Sequence, residues 1–276
     1  MTTSSAITTA STRARPGRWS ALDQLVILVA RSLRTSVRIP QLLMFSATMP
    51  MAMLILFSQV FRSVADSSAF PAGVSYIDFL TPAMLAVSTV MAGTNAGVAA
   101  AIDHTNGLHA RFTTLPMSPW LPGIARMVSE TVVTSFRAGL LLAAATAMGF
   151  RFNGNIVDAA AGLVVVLALA AAMSALFGEI GDHLRRPDVV QFAGMMIMMP
   201  LMFLAAAFAP LSTMPGWMRT VAAVNPVEHA IEALRGDAMG TATTQDTASA
   251  LAAAATLWFA VVLYRAARRR RRSVAV

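Results

Sequence analysis

The chain contains no cysteine and no lysine. Without cysteine there are no disulfides, thiolate metal sites, c-type haem attachments or cysteine nucleophiles. Without lysine there is no Schiff-base amine. The Walker A lysine that holds nucleotide phosphates is missing too, so the chain is not by itself a standard P-loop ATPase. Charge is also scarce. Only 12% of the 276 residues are charged, against about 25% in soluble domains. Apolar residues fill the gap: 57% of the chain, with a mean hydropathy of +0.65. That composition fits a membrane protein and not a soluble enzyme. The length allows roughly six spans of about 20 residues with short loops, and no second large soluble domain.

Stretches free of charge run over residues 39–61, 79–102, 159–178, 189–218 and 247–264. Each is near or above the length that crosses a bilayer. A sixth, 131–150, qualifies if Arg137 is tolerated inside it. The 189–218 stretch is too long for one span. It is expected to cross to about Phe208, after which Pro210, Pro215 and Gly216 break it into a loop. The expected fold class is an all-α integral membrane protein. It has six transmembrane helices, an N-terminal amphipathic interfacial helix and a short outer re-entrant helix before the last span. Residues 1–18 are expected as a disordered tail, 19–38 as the interfacial helix, 39–265 as the six-span domain and 266–276 as a basic tail.

All 21 basic residues are arginines, and they are unevenly placed. Six spans put both termini on one side, together with the second and fourth loops. That face carries Arg13, Arg15, Arg18, Arg31, Arg34, Arg38, Arg111, Arg185, Arg186, Arg265 and residues 268–272, fifteen in all. The other face carries four: Arg62, Arg151, Arg219 and Arg235. The positive-inside rule then makes both termini cytoplasmic. The basic ends need no nucleic-acid partner. The first apolar stretch starts too late for a signal peptide, and no small-residue cleavage site follows it.

Three segments outside the spans carry patterns of their own. In the first, Ser20 and Asp23 form a plausible capping pair. Trp19, Leu22, Leu25, Val26, Val29, Leu33 and Val37 share one helical face, with Arg31, Arg34 and Arg38 nearly opposite. Such a helix lies in the interface as an anchor, its polar face available to a partner. In the second, residues 103–122, Pro116, Pro119 and Pro122 stiffen the loop. Leu108, Phe112 and Leu115 have no obvious core there. Either a short helix over 103–114 offers them to a partner's groove, or they pack back on the spans. In the third, Asn225 caps a helix with Pro226 in its first turn. Val227, Ala230, Ile231 and Leu234 make its apolar face, and Glu228, Glu232 and Arg235 its polar one, ending before Gly236. This element is expected to dip into the outer leaflet as an outer gate or a structural lid. Glu228 and Glu232 would stay at its polar edge, with Arg235 near Glu232 and Trp217 at headgroup level.

Inside the spans, Arg126, Glu130 and Arg137 lie on the third, the last two seven apart and therefore on one face. An intramembrane charge is by default a functional candidate. Here it is a buried salt bridge that fixes helix packing or the dimer contact, a substrate contact, or, for Arg126, a side chain that snorkels to the interface. Met195, Met196, Met198 and Met199 precede Pro200 on the fifth span and suit either a pathway wall for varied apolar shapes or ordinary packing. Glu179, Asp182, His183, Arg185, Arg186 and Asp188 read as a solvated turn, and the four histidines lack metal-site spacing. Gly93 and Gly97 offer a close helix contact.

These pieces resemble the permeases of type-2 ABC exporters, of the daunorubicin drug-resistance kind. The resemblance is carried by the interfacial helix, the six spans, a cytoplasmic loop with Gly107, Leu115, Pro116 and Ser118, and above all the NPVEHAIEALR element from Asn225. Asp103 stands where many members have Glu, which keeps the carboxylate. The resemblance implies that Asp103, Gly107, Leu108, Phe112, Leu115 and Pro116 couple to a separate ABC ATP-binding subunit, where ATP and Mg would be bound. It implies no cofactor in this chain and a second permease copy, identical or homologous. It also implies a bacterial inner membrane and export of a drug, secondary metabolite or lipid by alternating access. Glu130, Arg137, Met195 and Met199 are then pathway candidates, and Asn225, Pro226, Glu228, Glu232 and Arg235 outer-gate candidates. The alternatives are a polysaccharide-exporting permease and a non-transport membrane protein for assembly or sensing.

Overall fold

A computed structural model describes residues 20–38, 40–61, 74–108, 118 and 120–274. Every regular element among them is helical. In chain order these are α1 (Ala21–Arg38), α2 (Pro40–Val60), α3 (Tyr76–Thr105), α4 (Leu121–Ala147), α5 (Ile156–Leu184), α6 (Pro187–Phe203), α7 (Gly216–Ala222), α8 (Pro226–Met239) and α9 (Thr244–Val274). Most of the tails, and Phe112, Leu115 and Pro116 of the second loop, lie outside the described residues.

Local chemistry sets the helix starts. Ser20 and Asp23 bond reciprocally, Asp23 N donating to Ser20 Oγ at 3.1 Å and Ser20 N to Asp23 Oδ2 at 3.1 Å. Asn155 and Asp158 form the same box before α5, and Thr243 and Asp246 before α9. Each box satisfies amide donors that a helix start leaves unpaired. At the other end, Gly240 stops α8 with φ 71°, a left-handed turn that glycine makes without a Cβ clash.

Among the described residues four helices are long and apolar enough to cross a membrane: α3, α4, α5 and, within α9, Thr244–Ala267. The apolar helices Ala47–Val60, within α2, and α6 are shorter. At the centre stands α3, where Leu80, Ala83, Met84, Val87 and Val90 have no exposed surface. It packs along α5 through glycines. A Cβ added at Gly97 would lie 2.5 Å from Phe177 O, and one at Gly181 would collide with Gly97 O. The spacing noticed at Gly93 and Gly97 is therefore a helix–helix contact, with backbones in near touch. Gly194 of α6 sits against Thr94 of α3 in the same way.

The helices run further than the apolar stretches predict. Helix α3 continues to Thr105, and α4 begins at Leu121 with Pro122 and Gly123 in its first turn, so the second loop is shorter than 103–122. Helix α5 passes through the expected polar turn to Leu184. Helix α8 runs past Gly236 to Met239, while α6 stops at Phe203, before Phe208. In α3 and α5 the added turns carry charged residues whose partners, Arg126 and Arg265, stand on neighbouring helices. The end of the bundle where α3 stops, α4 starts and α5 passes into α6 is the loop end, and the opposite end is the α8 end.

Candidate functional site

Four spans reach the loop end with charged residues at the same depth, and these residues meet. Arg126 of α4 donates from Nη2 to Asp103 Oδ2 of α3 at 2.9 Å, and its Nη1 stands 3.9 Å from Asp182 Oδ1 of α5. His104 Nε2 lies 3.3 Å from the same oxygen. Arg265 of α9 donates from Nη2 to Asp182 Oδ2 at 2.6 Å, and its Nε stands 3.1 Å from Glu179 Oε2 as an ion pair. Its guanidinium lies 5.7 Å from the Trp120 ring centre. Gly123 makes room for it, since a Cβ there would fall 2.9 Å from Arg265 Nη1. Asp182 is the hub, its side chain only 15% exposed. Partly buried charges of this kind are tolerated because each has a close opposite partner.

Glu179 and Asp182, expected in a solvated turn, are instead ion-pair members, Glu179 buried and Asp182 partly so. The available signal was their i, i+3 spacing, which puts both on one helical face. Asp103, read as a docking residue, turns inward to Arg126. Gly107 follows just beyond α3 with φ 67°, and Leu108 opens the next segment. The network thus begins where the second loop begins.

Above it, between α4, α5 and α9, lies a cavity of about 430 Å³. Met127, Ser174 and Trp258 line its walls, and Arg126, Asp182 and Arg265 close its loop end. Met195 and Met199 do not line it. They are 52% and 51% exposed on the outer face of α6, beside Phe192, Met196 and Phe203. Glu130 and Arg137 form an ion pair at 3.8 Å within α4, both side chains largely buried. Glu130 also borders a smaller cavity of about 230 Å³ beside α1. Among the described residues no group of three or more His, Asp or Glu is placed to hold a metal ion.

The α8 end has its own polar cluster. Asn225 accepts from Val227 N at 3.0 Å and donates to Leu201 O at 2.9 Å, so it caps α8 and ties it to the end of α6. Glu228 is buried, not at a polar edge, and accepts from Ala206 N. Arg235 donates to Phe79 O at 3.1 Å and to Ala206 O, with its guanidinium 3.5 Å above the Phe79 ring centre. Its hydrogen-bond partners are thus main-chain carbonyls, while Glu232 is exposed. Helix α8 buries Val227, Ala230, Ile231 and Leu234 against α3, α5 and α9, so it is part of the core. Asp237, at its far end, is 2% exposed, and neither carboxylate oxygen has a hydrogen-bond partner. Burial first, then Asp158 and Asp246, push its pKa up to about 6.

Comparison with known proteins gives this arrangement a family. The ABC-2 type transporter family matches residues 23–237, well over half of the chain. The chain belongs to the ABC-2 type transporter family. It is similar to the daunorubicin resistance ABC transporter permease protein DrrB1 of Streptomyces coeruleorubidus, 28% identical over 253 residues, which cover 88% of this chain and 84% of that one. It is also similar to ycf38 of Porphyra purpurea, 24% identical over 221 residues, covering 79% and 74%. A shorter match joins it to the doxorubicin resistance ABC transporter permease protein DrrB of Mycobacterium tuberculosis, 28% identical over 114 residues, covering 41% and 39%. This ABC-2 chain is thus a homologue of drug-resistance permeases, and its family implies an ATP-binding subunit as partner. The matched stretch runs from the first turn of α1 to Asp237 and takes in Asp103, His104, Arg126, Glu179 and Asp182 of the network, leaving Arg265 beyond it.

Proposed function

We propose that this chain is the transmembrane permease subunit of an ATP-driven exporter that moves a hydrophobic or amphipathic compound out of the cytoplasm or the inner leaflet. ATP and Mg are held by a separate ATP-binding subunit, and a second permease copy completes the pathway. The chain crosses a bacterial inner membrane six times, with α2 and α6 as the remaining spans. The loop end faces the cytoplasm, as the fifteen-to-four arginine bias argues.

One observation carries the coupling step. Asp182 joins α3, α4, α5 and α9 through His104, Arg126 and Arg265. The second loop leaves from the same place. A push on that loop therefore displaces four helices together, because paired charges in a low-dielectric setting resist separation. Alternating access follows if the bundle has two packings that this push selects between. Asp103, Gly107, Leu108, Phe112, Leu115 and Pro116 form the coupling side. Asn225, Pro226, Glu228, Glu232 and Arg235 form the outer gate, and Glu130, Arg137, Met195 and Met199 remain candidates along the pathway.

The test is Asp182→Asn in the complex reconstituted with its ATP-binding subunit. Assembly and ATP hydrolysis should persist while export falls by about tenfold or more, since a charged hydrogen bond contributes roughly 1.5–3 kcal/mol. Export at the wild-type rate would overturn the coupling role.

A further inference from the structure

The smaller cavity, between α1, α3 and α4, holds both signs of charge in one place. Arg31 of α1, Asp103 of α3, and Arg126 and Glu130 of α4 line its volume of about 230 Å³. Arg126 and Asp103 bond to each other at 2.9 Å, yet the Asp103 side chain is still 31% exposed. Glu130 is less well matched. Its Oε2 is enclosed and accepts no hydrogen bond. Arg137 Nη1 stands 3.8 Å from that oxygen, longer than a charge-assisted hydrogen bond. The side chain as a whole is 13% exposed and borders the cavity. A carboxylate so largely desolvated and so loosely paired gains from a donor that reaches its open side. The rest of the wall is suited to an anion and to lipid. Helix α4 starts here, with Pro122 in the lining, and Trp120 gives it no side-chain cap. The positive end of its dipole is therefore left for a negative group. Leu28, Ala99 and Ile102 make an apolar side, and Ile102 is exposed. Leu22, Val26 and Ile27 of α1 are exposed too, as in a helix lying at headgroup level.

Chemistry selects the occupant. The volume lies below the roughly 300 Å³ at which pockets for whole small molecules begin, so it suits a headgroup whose chains stay in the bilayer. Pockets for anionic lipids are basic, but here two carboxylates balance two guanidiniums. A choline headgroup brings a cation without an N–H to donate. An ethanolamine headgroup answers every part of the wall: its phosphate meets Arg31 and the start of α4, and its ammonium offers three donors to carboxylates. We propose that this cavity holds a phosphatidylethanolamine, with the phosphate on Arg31, the ammonium between Asp103 and Glu130, and the acyl chains leaving past Ile102. The lipid is a resident partner and not cargo. It joins α1 to α3 and α4 beside the Asp103–Arg126 pair, where the ion network begins. The inference rests on the proposed sidedness only for which leaflet supplies the lipid.

The test is native mass spectrometry of the purified full chain in detergent, with phosphatidylethanolamine, phosphatidylcholine and phosphatidylglycerol of the same acyl chains in competition. The wild-type chain should take phosphatidylethanolamine about tenfold or more over either rival, the scale of a hydrogen bond to a charged group. Glu130→Gln keeps the shape without the charge and should cut the preference over phosphatidylcholine to about threefold or less. Arg31→Gln changes an exposed residue and should weaken both lipids alike by about threefold to tenfold. Arg34→Gln, exposed on the same helix but outside the cavity wall, should bind as wild type does. Soluble O-phosphoethanolamine at matched concentration should displace no lipid. Equal uptake of the three lipids by the wild-type chain would overturn the site, and so would a full preference kept in Glu130→Gln. Equal losses in Arg31→Gln and Arg34→Gln would reduce the effect to surface charge, and displacement by O-phosphoethanolamine would make the ligand a soluble one; either result overturns the lipid assignment. Neither the ATP-binding subunit nor any cargo is present, so the outcome is independent of export. A reversed sidedness would move the lipid to the other leaflet and leave the headgroup preference intact.

Discussion

Asp182 and Arg265 lie 83 positions apart in the chain and meet at 2.6 Å, with the same arginine also holding Glu179. The contact joins the last turn of α5 to α9 across the loop end. It also fixes the orientation of α9, because Trp258 is seven residues before Arg265 and shares its face. Anchoring the arginine therefore sets the wall of the cavity two turns away. The orientation of α9 and the coupling proposed above run through the same ion pair.

The glycine contact between α3 and α5 makes a sharp stability prediction. Gly97→Ala places a Cβ 2.5 Å from Phe177 O, a distance only backbone movement relieves. Overpacking of this kind costs about 1–3 kcal/mol, and the thermal unfolding midpoint in detergent should fall. Gly139→Ala meets nothing within 4 Å and should behave as wild type. Equal midpoints for the two variants would show that α3 and α5 are not in contact at Gly97.

Glu228 and Glu232 are four residues apart but belong to different environments. Glu228→Ala removes the acceptor of Ala206 N and a buried carboxylate that interacts electrostatically with Arg235. It should lower stability by about 1–3 kcal/mol. Glu232 is exposed, and Glu232→Ala should leave stability within about 0.5 kcal/mol of wild type. If Glu232 acts in the outer gate, export by Glu232→Ala falls at matched protein level and unchanged midpoint. Unchanged export would confine any gate role to the buried members of the cluster.

Asp237 predicts a pH dependence with a definite sign. Its pKa stands near 6 in the fold and returns towards 3.8 on unfolding. Between those values the folded chain holds a proton that the unfolded chain has released. Stability is therefore fully present at low pH and declines as pH rises through about 4 to 6. Asp237→Asn keeps the shape without the charge and should flatten this part of the profile. Thermal unfolding between about pH 4 and pH 8 measures it, and a wild-type profile that rises across the window contradicts the assignment.

The proposed sidedness is tested by reporter fusions. Fusions after Val276 and within residues 103–122 should report the cytoplasm, and one near Asp237 the outside. A cytoplasmic signal at Asp237 is incompatible with six spans.

Some of this was legible in the linear chain. Helical membrane architecture follows from apolar stretch length alone, since a bilayer leaves a polar backbone few other choices. Caps such as Ser20–Asp23 and Asn225–Pro226 are local, so spacing of a few residues predicts them. The same holds for Glu130 and Arg137, one face of one helix. The environment of charged residues on different helices was not legible. Glu179, Asp182 and Arg265 look like ordinary polar ends of spans, because nothing local says which opposite charge stands across the gap. Glu228 looks like the wet face of a short amphipathic helix until Ala206 N and Arg235 are placed beside it. Periodicity assigns a side chain to a face, but only packing decides whether that face meets water, lipid or another helix. The cavity lined by Ser174 and Trp258 was hidden for the same reason: its three walls lie on α4, α5 and α9, brought together by close packing and the arginine that pins them.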